Sequence, residues 1–166
     1  MKSVNSKGSI GLFGYKLRKK SKKKLPIKPY LSNGKKSKIK TELFFEIVEK
    51  LGSWEEQSGF LDNKVNLQRL AKTLHTNSTY LSKVINTHKN KNFASYLKDI
   101  RITYAINHLK ENPKIVKTKS MIQIAEMYGF NSISVFTKSF KNKTGVTPGV
   151  FFKRILEDEW RKSTGT

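Results

Sequence analysis

The chain has 166 residues, with 34 Lys and Arg against 12 Asp and Glu, so its formal net charge of +22 favours a polyanionic partner, either nucleic acid or an anionic membrane surface. The length fits one domain with a tail, and the hydrophobic content of 36% suffices for a modest core. The absence of cysteine excludes disulfide scaffolds, thiolate zinc sites and cysteine nucleophiles, and no apolar run approaches the ~18 residues of a membrane span.

Residues 1–36 are predicted to form a basic, flexible arm. Residues 1–40 hold 14 Lys and Arg and no acid. Like charges at this density repel one another, and Pro26 and Pro29 interrupt any helix. Three roles stay open for the arm: a solvated linker, a juxtamembrane remnant in which an apolar stretch at 10–15 leads into the lysines, or an arm that tracks DNA phosphates.

From residue 37 onward, apolar residues recur with helical spacing, which predicts an all-α domain of about seven helices over 37–158 and a tail at 159–166. The first helix is expected at about 38–57. Its apolar stripe consists of Leu43, Phe44, Ile47, Val48, Leu51 and Trp54. A unit of short helix, tight turn and second helix follows at about 66–87, with Asn66 as its cap and the turn at His75.

A longer connecting helix is expected at about 93–111, closed by Pro113, and a second helix-turn-helix unit at about 120–143. Gly129 is predicted to end the first helix of that unit in a left-handed conformation, and Ser132 to cap the second. Thr147-Pro148 open the last helix. Residues expected to face inward after 120 include Ile122, Ile124, Ala125, Val135, Phe136, Phe140, Val150, Phe151, Phe152 and Ile155.

The second unit resembles the DNA-binding domain of the AraC/XylS family of bacterial transcription regulators. The shared pattern comprises Ile124-Ala125, Gly129-Phe130, Ser132, Ser134, Phe136, Phe140, Gly145 and Pro148. The first unit and the connecting helix agree, so the resemblance covers about 65–156. Two features depart from compact members: His75 replaces the usual turn glycine, although His tolerates positive φ, and the connection between Leu109 and Ala125 is about five residues longer.

Segments at 59–62, 77–86 and 96–101 are similar to the Bacteroidetes-type members of the family. In those members a sensor and a membrane segment precede a basic stretch. The resemblance therefore implies that residues 1–36 are the remnant of a juxtamembrane region of a longer regulator. It also implies a cytoplasmic, nucleoid-associated module that binds double-stranded operator DNA, with RNA polymerase as a candidate partner. Membrane tethering through the basic arm is the alternative if the chain is part of that longer regulator.

In a helix-turn-helix unit, outward residues near the start of the second helix meet base edges in the major groove. The resemblance implies this role for Thr79, Ser82, Lys83, Ile133, Ser134, Thr137 and Lys138. Lys donates to guanine, Ser and Thr to several edges, and an exposed Ile133 suits a thymine methyl. Local capping stays the alternative for the hydroxyls, and simple packing for Ile133. Phosphate contacts are expected near helix N-termini and from basic residues, at Asn66, Asn77, Asn86, Lys91, Arg101, Ser132, Lys141 and Lys143.

No enzyme and no cofactor are expected. His75, His88 and His108 have no partners at metal-ligand spacing, and neither a triad nor a nucleotide-binding loop can be assembled. The sequence predicts a sequence-specific DNA-binding transcription regulator. The alternatives are a basic membrane-surface or interaction module and an unselective nucleic-acid binder. A monomer on tandem half-sites and a dimer stay equally open.

Overall fold

A computed structural model describes the backbone of residues 34–165 and the side chains of 41–165, and this part of the chain is all-α, as predicted. Eight α-helices and one 3-10 turn follow one another. They are α1 (Gly34–Glu56), the 3-10 turn (Gly59–Leu61), α2 (Leu67–Thr73), α3 (Ser78–Lys89), α4 (Phe93–Glu111), α5 (Lys114–Thr118), α6 (Met121–Met127), α7 (Ile133–Thr144) and α8 (Pro148–Thr164). Residues 1–33 of the predicted arm lie outside the described residues.

Two helix boundaries and one additional helix differ from the sequence prediction. The helix α1 begins at Gly34, so residues 34–36 are helical and do not belong to the arm. The weakly patterned segment after Pro113 forms the additional helix α5, because the φ of proline, −57° here, suits a helix start. The helix α8 continues to Thr164, where a tail was expected from 159, and Lys117 of α5 pairs with its Glu159 at 2.8 Å.

Short polar side chains define where the central helices begin. The amide oxygens of Asn66, Asn77 and Asn92 each accept a hydrogen bond at 2.9 Å from the backbone N–H three residues further on. The hydroxyl of Ser132 does the same at 3.4 Å, and Ser120 forms a reciprocal capping box with Gln123. These caps satisfy N–H groups that have no partner inside the helix, and they confirm Asn66 and Ser132 as predicted caps.

The helices enclose two cores that share α4. The first core lies between α1, α2, α3 and the start of α4, and its buried residues are Ile47, Leu51, Leu70, Ala71, Leu74, Leu81, Val84, Ile85 and Tyr96. The second lies between the rest of α4, α6, α7 and α8, and its buried residues are Ile102, Ala105, Ile106, Leu109, Ile124, Ala125, Tyr128, Phe130, Phe136, Phe140, Phe152 and Ile155. The connecting helix thus belongs to one unit by its N-terminal half and to the other by its C-terminal half.

Three residues that were expected to face inward are exposed. Ile122 is 54% exposed, Val135 43% and Val150 47%. Each of the three lies next to a residue that packs on the core. Successive residues of a helix point in directions that differ by about 100°. A neighbour of a buried position therefore points away when the buried face is narrow, and periodicity alone did not resolve which of the adjacent apolar residues is buried.

The two units meet at the side chain of Arg101, in the middle of α4. Its Nε donates to the carbonyl oxygen of Phe60 at 2.6 Å, and its Nη2 donates to that of Asp62 at 2.8 Å. Burial lowers the pKa of Arg101, and the nearby Asp62 carboxylate opposes that shift. The guanidinium therefore attaches the loop after α1 to the connecting helix.

Gly129 of the second unit packs against this junction. Its φ is +78°, and a Cβ at this position would lie 2.7 Å from the carbonyl oxygen of Leu61 and 2.9 Å from Nε of Arg101. The residue therefore needs both the left-handed conformation that glycine adopts freely and the space that a side chain would fill.

Replacing Arg101 with methionine should destabilise the domain by about 2–4 kcal/mol, because the buried carbonyl oxygen of Phe60 and the partly buried one of Asp62 lose charged donors. The measurement is the urea midpoint of unfolding, followed by circular dichroism. Arg154→Met is the matched control, since Arg154 is exposed on α8. Equal midpoints for the two variants would contradict the structural role of Arg101.

Gly129→Ala should lower the free energy of unfolding by about 1–3 kcal/mol more than Gly145→Ala does. The excess is expected because the added methyl group overpacks the junction. Gly145 has φ +79°, and a Cβ there meets nothing within 4 Å. The control therefore carries the left-handed backbone penalty without the steric conflict. Similar denaturation midpoints for the two alanine variants would show that Leu61 and Arg101 move aside at little cost.

Candidate nucleic-acid interface

The helix pairs α2–α3 and α6–α7 close their turns in the same way. The residue after the first helix has positive φ in each, +55° at His75 and +78° at Gly129. Histidine thus occupies the left-handed position that glycine takes in the second unit, as predicted from its tolerance of positive φ. His75 is exposed, so its side chain does not crowd the core in this backbone conformation.

The backbone hydrogen bonds of the two turns also correspond. The N–H of Thr76 donates to the carbonyl of Ala71 at 2.9 Å, and the N–H of Phe130 donates to that of Ala125 at 3.0 Å. Both alanines are buried, with 2% and 1% of their surface exposed. The second turn then contains one residue more before its next helix begins. Positions in α3 therefore correspond to positions 55 residues later in α7.

The outward faces of α3 and α7 carry the same chemistry in the same order. Leu81, Val84 and Ile85 turn α3 toward the first core, and Phe136 and Phe140 turn α7 toward the second. The residues predicted to read bases lie on the opposite faces. With the offset of 55, they form the pairs Thr79 with Ser134, Ser82 with Thr137, and Lys83 with Lys138. Each helix therefore presents a hydroxyl, a second hydroxyl and an ammonium group.

These groups are accessible for an external partner. Thr79, Lys83, Ile133, Ser134 and Lys138 are exposed, whereas Ser82 and Thr137 are half-buried. Capping of the two helices is performed by the side chains of Asn77 and Ser132. Within the part of the chain that the structure describes, neither Lys83 nor Lys138 has a carboxylate within 4.0 Å.

Apart from Arg101, the residues expected at phosphates fall into three groups. In the first group, the side-chain oxygens of Asn66, Asn77 and Ser132 already accept hydrogen bonds as helix caps. A phosphate would therefore contact the free N–H groups of the adjoining helix N-termini rather than these oxygens. Asn86 and Lys141 are exposed on α3 and α7. Lys91 and Lys143 are ion-paired, at 2.8 and 2.9 Å from the carboxylate of Asp99.

Arg101 is a correction to the sequence prediction. Its side chain is 7% exposed, and its donors reach the carbonyls of Phe60 and Asp62, so it does not lie at the interface. A basic residue in a basic protein resembles a phosphate ligand in the sequence, and only the tertiary fold shows that its partners are backbone carbonyls.

Sequence reasoning overlooked two further residues of the outward faces. Tyr80 is 40% exposed and Val135 43%, and the offset of 55 makes them equivalent. Tyr80 had no assigned role, and Val135 was assigned to the core. The sequence did contain a feature that could have identified them. Tyr80 lies three positions after the cap Asn77, and Val135 lies three positions after the cap Ser132.

The net positive charge of the described domain lies mainly in the two helix pairs. The helix α1 contains five acids and five Lys, and α8 contains three acids and four Lys or Arg, whereas α2 and α3 contain four Lys or Arg and no acid, and α6 and α7 contain three Lys and one acid, Glu126. The paired units are therefore basic while the terminal helices are close to neutral, and a polyanion is attracted to the units.

Other classes of site find no support in residues 34–165. None of the helices there is long and apolar enough to cross a membrane. The same residues contain no group of three or more His, Asp or Glu side chains placed to hold a metal ion.

Residues 70–154 match the model of a family described as "Helix-turn-helix domain". The Msm operon regulatory protein of Streptococcus mutans is 29% identical over 125 residues, which are 75% of this chain and 41% of that protein. The probable transcription factor PqrA of Proteus vulgaris is 26% identical over 105 residues, 63% of this chain and 82% of that protein. An uncharacterized HTH-type transcriptional regulator of Bacillus subtilis, YtdP, is 31% identical over 88 residues, 53% of this chain and 11% of that protein.

Two solved structures share the fold. The C-terminal domain of AraT, a response regulator from Geobacillus stearothermophilus, has a TM-score of 0.54 and 22% identity, and the match covers 66% of this chain and 84% of that one. A protein from Listeria innocua has a TM-score of 0.54 and 24% identity, covering 64% and 94%. The chain spans about two fifths of the Streptococcus relative and a smaller share of the Bacillus regulator.

Proposed function

The chain belongs to the AraC-type helix-turn-helix family, and on that premise we propose that it is a sequence-specific DNA-binding regulator of transcription. The helices α3 and α7 are its recognition helices, and they enter successive segments of the major groove. The observation that carries this proposal is the repeated order of hydroxyl, hydroxyl and ammonium group on their outward faces.

Each side chain of the repeated order has a matching base edge. The ammonium groups of Lys83 and Lys138 donate to O6 and N7 of guanine, and the hydroxyls of Thr79 and Ser134 donate to or accept from several edges. Within residues 34–165 these ammonium groups have no carboxylate partner, so their donors are available to DNA. The hydroxyls of Ser82 and Thr137 are half-buried, so they can contact a base only where the DNA lies directly against the helix surface.

Apolar groups on the same faces favour thymine. Ile133 is 39% exposed and Val135 43% exposed, and both stand in the first turn of α7. A thymine methyl in the major groove buries such side chains from water. Tyr80 takes the position of Val135 on α3 and combines an apolar ring with a hydroxyl.

The names of the relatives support regulation of transcription as the setting. They are an operon regulatory protein, a transcription factor and a transcriptional regulator. RNA polymerase is a further candidate partner in that setting, and the nucleoid is the proposed location. The narrower resemblance to Bacteroidetes-type members, the arm at 1–33 and the number of chains on DNA stay predictions.

A selection from a random duplex library tests the proposal. The expected result is a bipartite motif, with one segment for each recognition helix. The absence of any enriched motif would overturn sequence specificity and favour the unselective nucleic-acid binder. Preference of residues 34–166 for anionic vesicles over duplex DNA would favour the membrane-surface module.

Lys138→Ala should weaken binding to the selected duplex by about 1–3 kcal/mol and relax the preference at one position of the motif. The physical reason is the loss of a charged donor to a base edge. Lys153→Ala is the matched control, because it removes the same charge from an exposed side chain on α8. Equal losses on the selected duplex and on random duplex would mean that Lys138 contacts only phosphate.

Removing residues 1–33 should weaken binding to every duplex alike and reduce the dependence of affinity on salt. This segment contains ten Lys and Arg and no acid, and each phosphate contact that it makes contributes a slope of about −0.9 to log K against log salt. Fluorescence anisotropy at several KCl concentrations measures this slope. An unchanged slope for the shortened chain would show that the arm does not follow the DNA backbone.

A further inference from the structure

The carboxylate of Asp99 receives two lysines at once. Lys91 Nζ donates to its Oδ2 at 2.8 Å, and Lys143 Nζ donates to its Oδ1 at 2.9 Å. Each oxygen thus has its own ammonium group. Asp99 is also the one acidic residue between Asp62 and Glu111, a stretch that contains nine Lys and Arg. The proposed contacts with bases do not use this cluster.

The two lysines reach Asp99 from the two sides of the connecting helix. Lys91 lies in the short loop that links α3 to α4, and Lys143 lies in the last turn of α7. Asp99 lies on α4, between the two of them in the fold. One carboxylate on the connecting helix therefore holds both the loop that leaves α3 and the C-terminal end of α7.

The residues of α4 on either side of Asp99 pack into different cores. Tyr96 belongs to the first core, whereas Ile102 and the residues after it belong to the second. Asp99 stands between these two stretches, where the side chains of α4 change from one core to the other. A contact made here by both units limits how far one can rotate against the other.

The carboxylate keeps its charge at all physiological pH values. Burial alone would raise the pKa of Asp99, but the hydrogen bonds and charges of Lys91 and Lys143 outweigh it and lower the pKa. The three side chains are each about two fifths exposed, at 38–41%. Ion pairs with this exposure contribute little to global stability, so their effect is expected in the relative placement of the units.

We propose that Asp99 is a positioning residue that holds α3 and α7 at a defined separation and thereby sets the spacing between the two DNA segments that the protein accepts. The consequence for DNA rests on the proposed function. The positioning itself does not, because it is a property of the free protein.

The first experiment measures the separation of the recognition helices without DNA. The chain has no cysteine, so Thr87→Cys and Asn142→Cys place single spin labels on exposed positions of α3 and α7. Dipolar electron spin resonance should give a narrow distance distribution for this labelled chain and a broader one after Asp99→Asn. Identical distributions would overturn the proposal.

Matched variants distinguish the loss of positioning in Asp99→Asn from the mere loss of a charge and from unfolding. Asp158→Asn also removes one exposed carboxylate that pairs with a basic residue, and it should leave the distribution narrow. Asp99→Glu should restore most of the narrow distribution. Lys143→Gln should broaden it as Asp99→Asn does, and the double variant should add nothing further. Additive broadening would mean that the two residues act separately, contrary to the proposal.

The second experiment uses the selected duplex and a copy with one base pair inserted between the two segments of the motif. The insertion changes the separation by about 3.4 Å and the phase by about a tenth of a turn. Discrimination between the two duplexes should fall about threefold to tenfold in Asp99→Asn, the range that two exposed ion pairs can supply. Unchanged discrimination, together with a broader label distance, would overturn the consequence for DNA. A labelled wild-type chain with a narrow distance but no selected motif would overturn the proposed function instead.

Discussion

The buried guanidinium of Arg101 is the constraint on which the arrangement of the domain depends. A cation removed from water needs charge-assisted hydrogen bonds, and Arg101 finds them at the carbonyls of Phe60 and Asp62. The loop after α1 must therefore pass over the middle of α4. Gly129 must in turn approach both, since a Cβ there would meet Leu61 and Arg101. The hydrogen bond from Asn131 Nδ2 to the carbonyl of Asn63, at 3.2 Å, adds to the same junction.

A second polar contact attaches α1 to the first unit. The carboxylate of Glu55 accepts a hydrogen bond from the hydroxyl of Tyr96 at 2.7 Å and pairs with Lys89 at 2.6 Å. Burial raises the pKa of Tyr96, and the charge and hydrogen bond of Glu55 raise it further, so the hydroxyl remains a donor. The long first helix, the recognition helix α3 and the connecting helix α4 therefore meet at one carboxylate, as the two units meet at Asp99.

The two units agree in their outward faces and differ in their interiors. Aliphatic residues such as Leu81 and Ile85 fill the first core below α3, whereas Phe136 and Phe140 fill the second below α7. The turns differ by one residue and by His75 in place of glycine. The two cores are filled by different residues, yet the exposed faces of α3 and α7 carry similar groups. The similarity of Thr79 to Ser134 and of Lys83 to Lys138 therefore does not follow from packing requirements. It is consistent with a shared task at the surface.

The sequence by itself determined the local features of this domain, because their causes lie within a few residues. Caps at Asn66 and Ser132, the left-handed turns at His75 and Gly129 and the helical spacing of apolar residues predicted an all-α chain with two helix-turn-helix units. Only the tertiary structure decided which residues of similar character face inward. Val135 is exposed beside the buried Phe136, and Arg101 is buried although it resembles a phosphate ligand. The pairing of Asp99 with Lys143, 44 residues apart, likewise depends on how two cores share one helix, and short-range pattern contains no information about that contact.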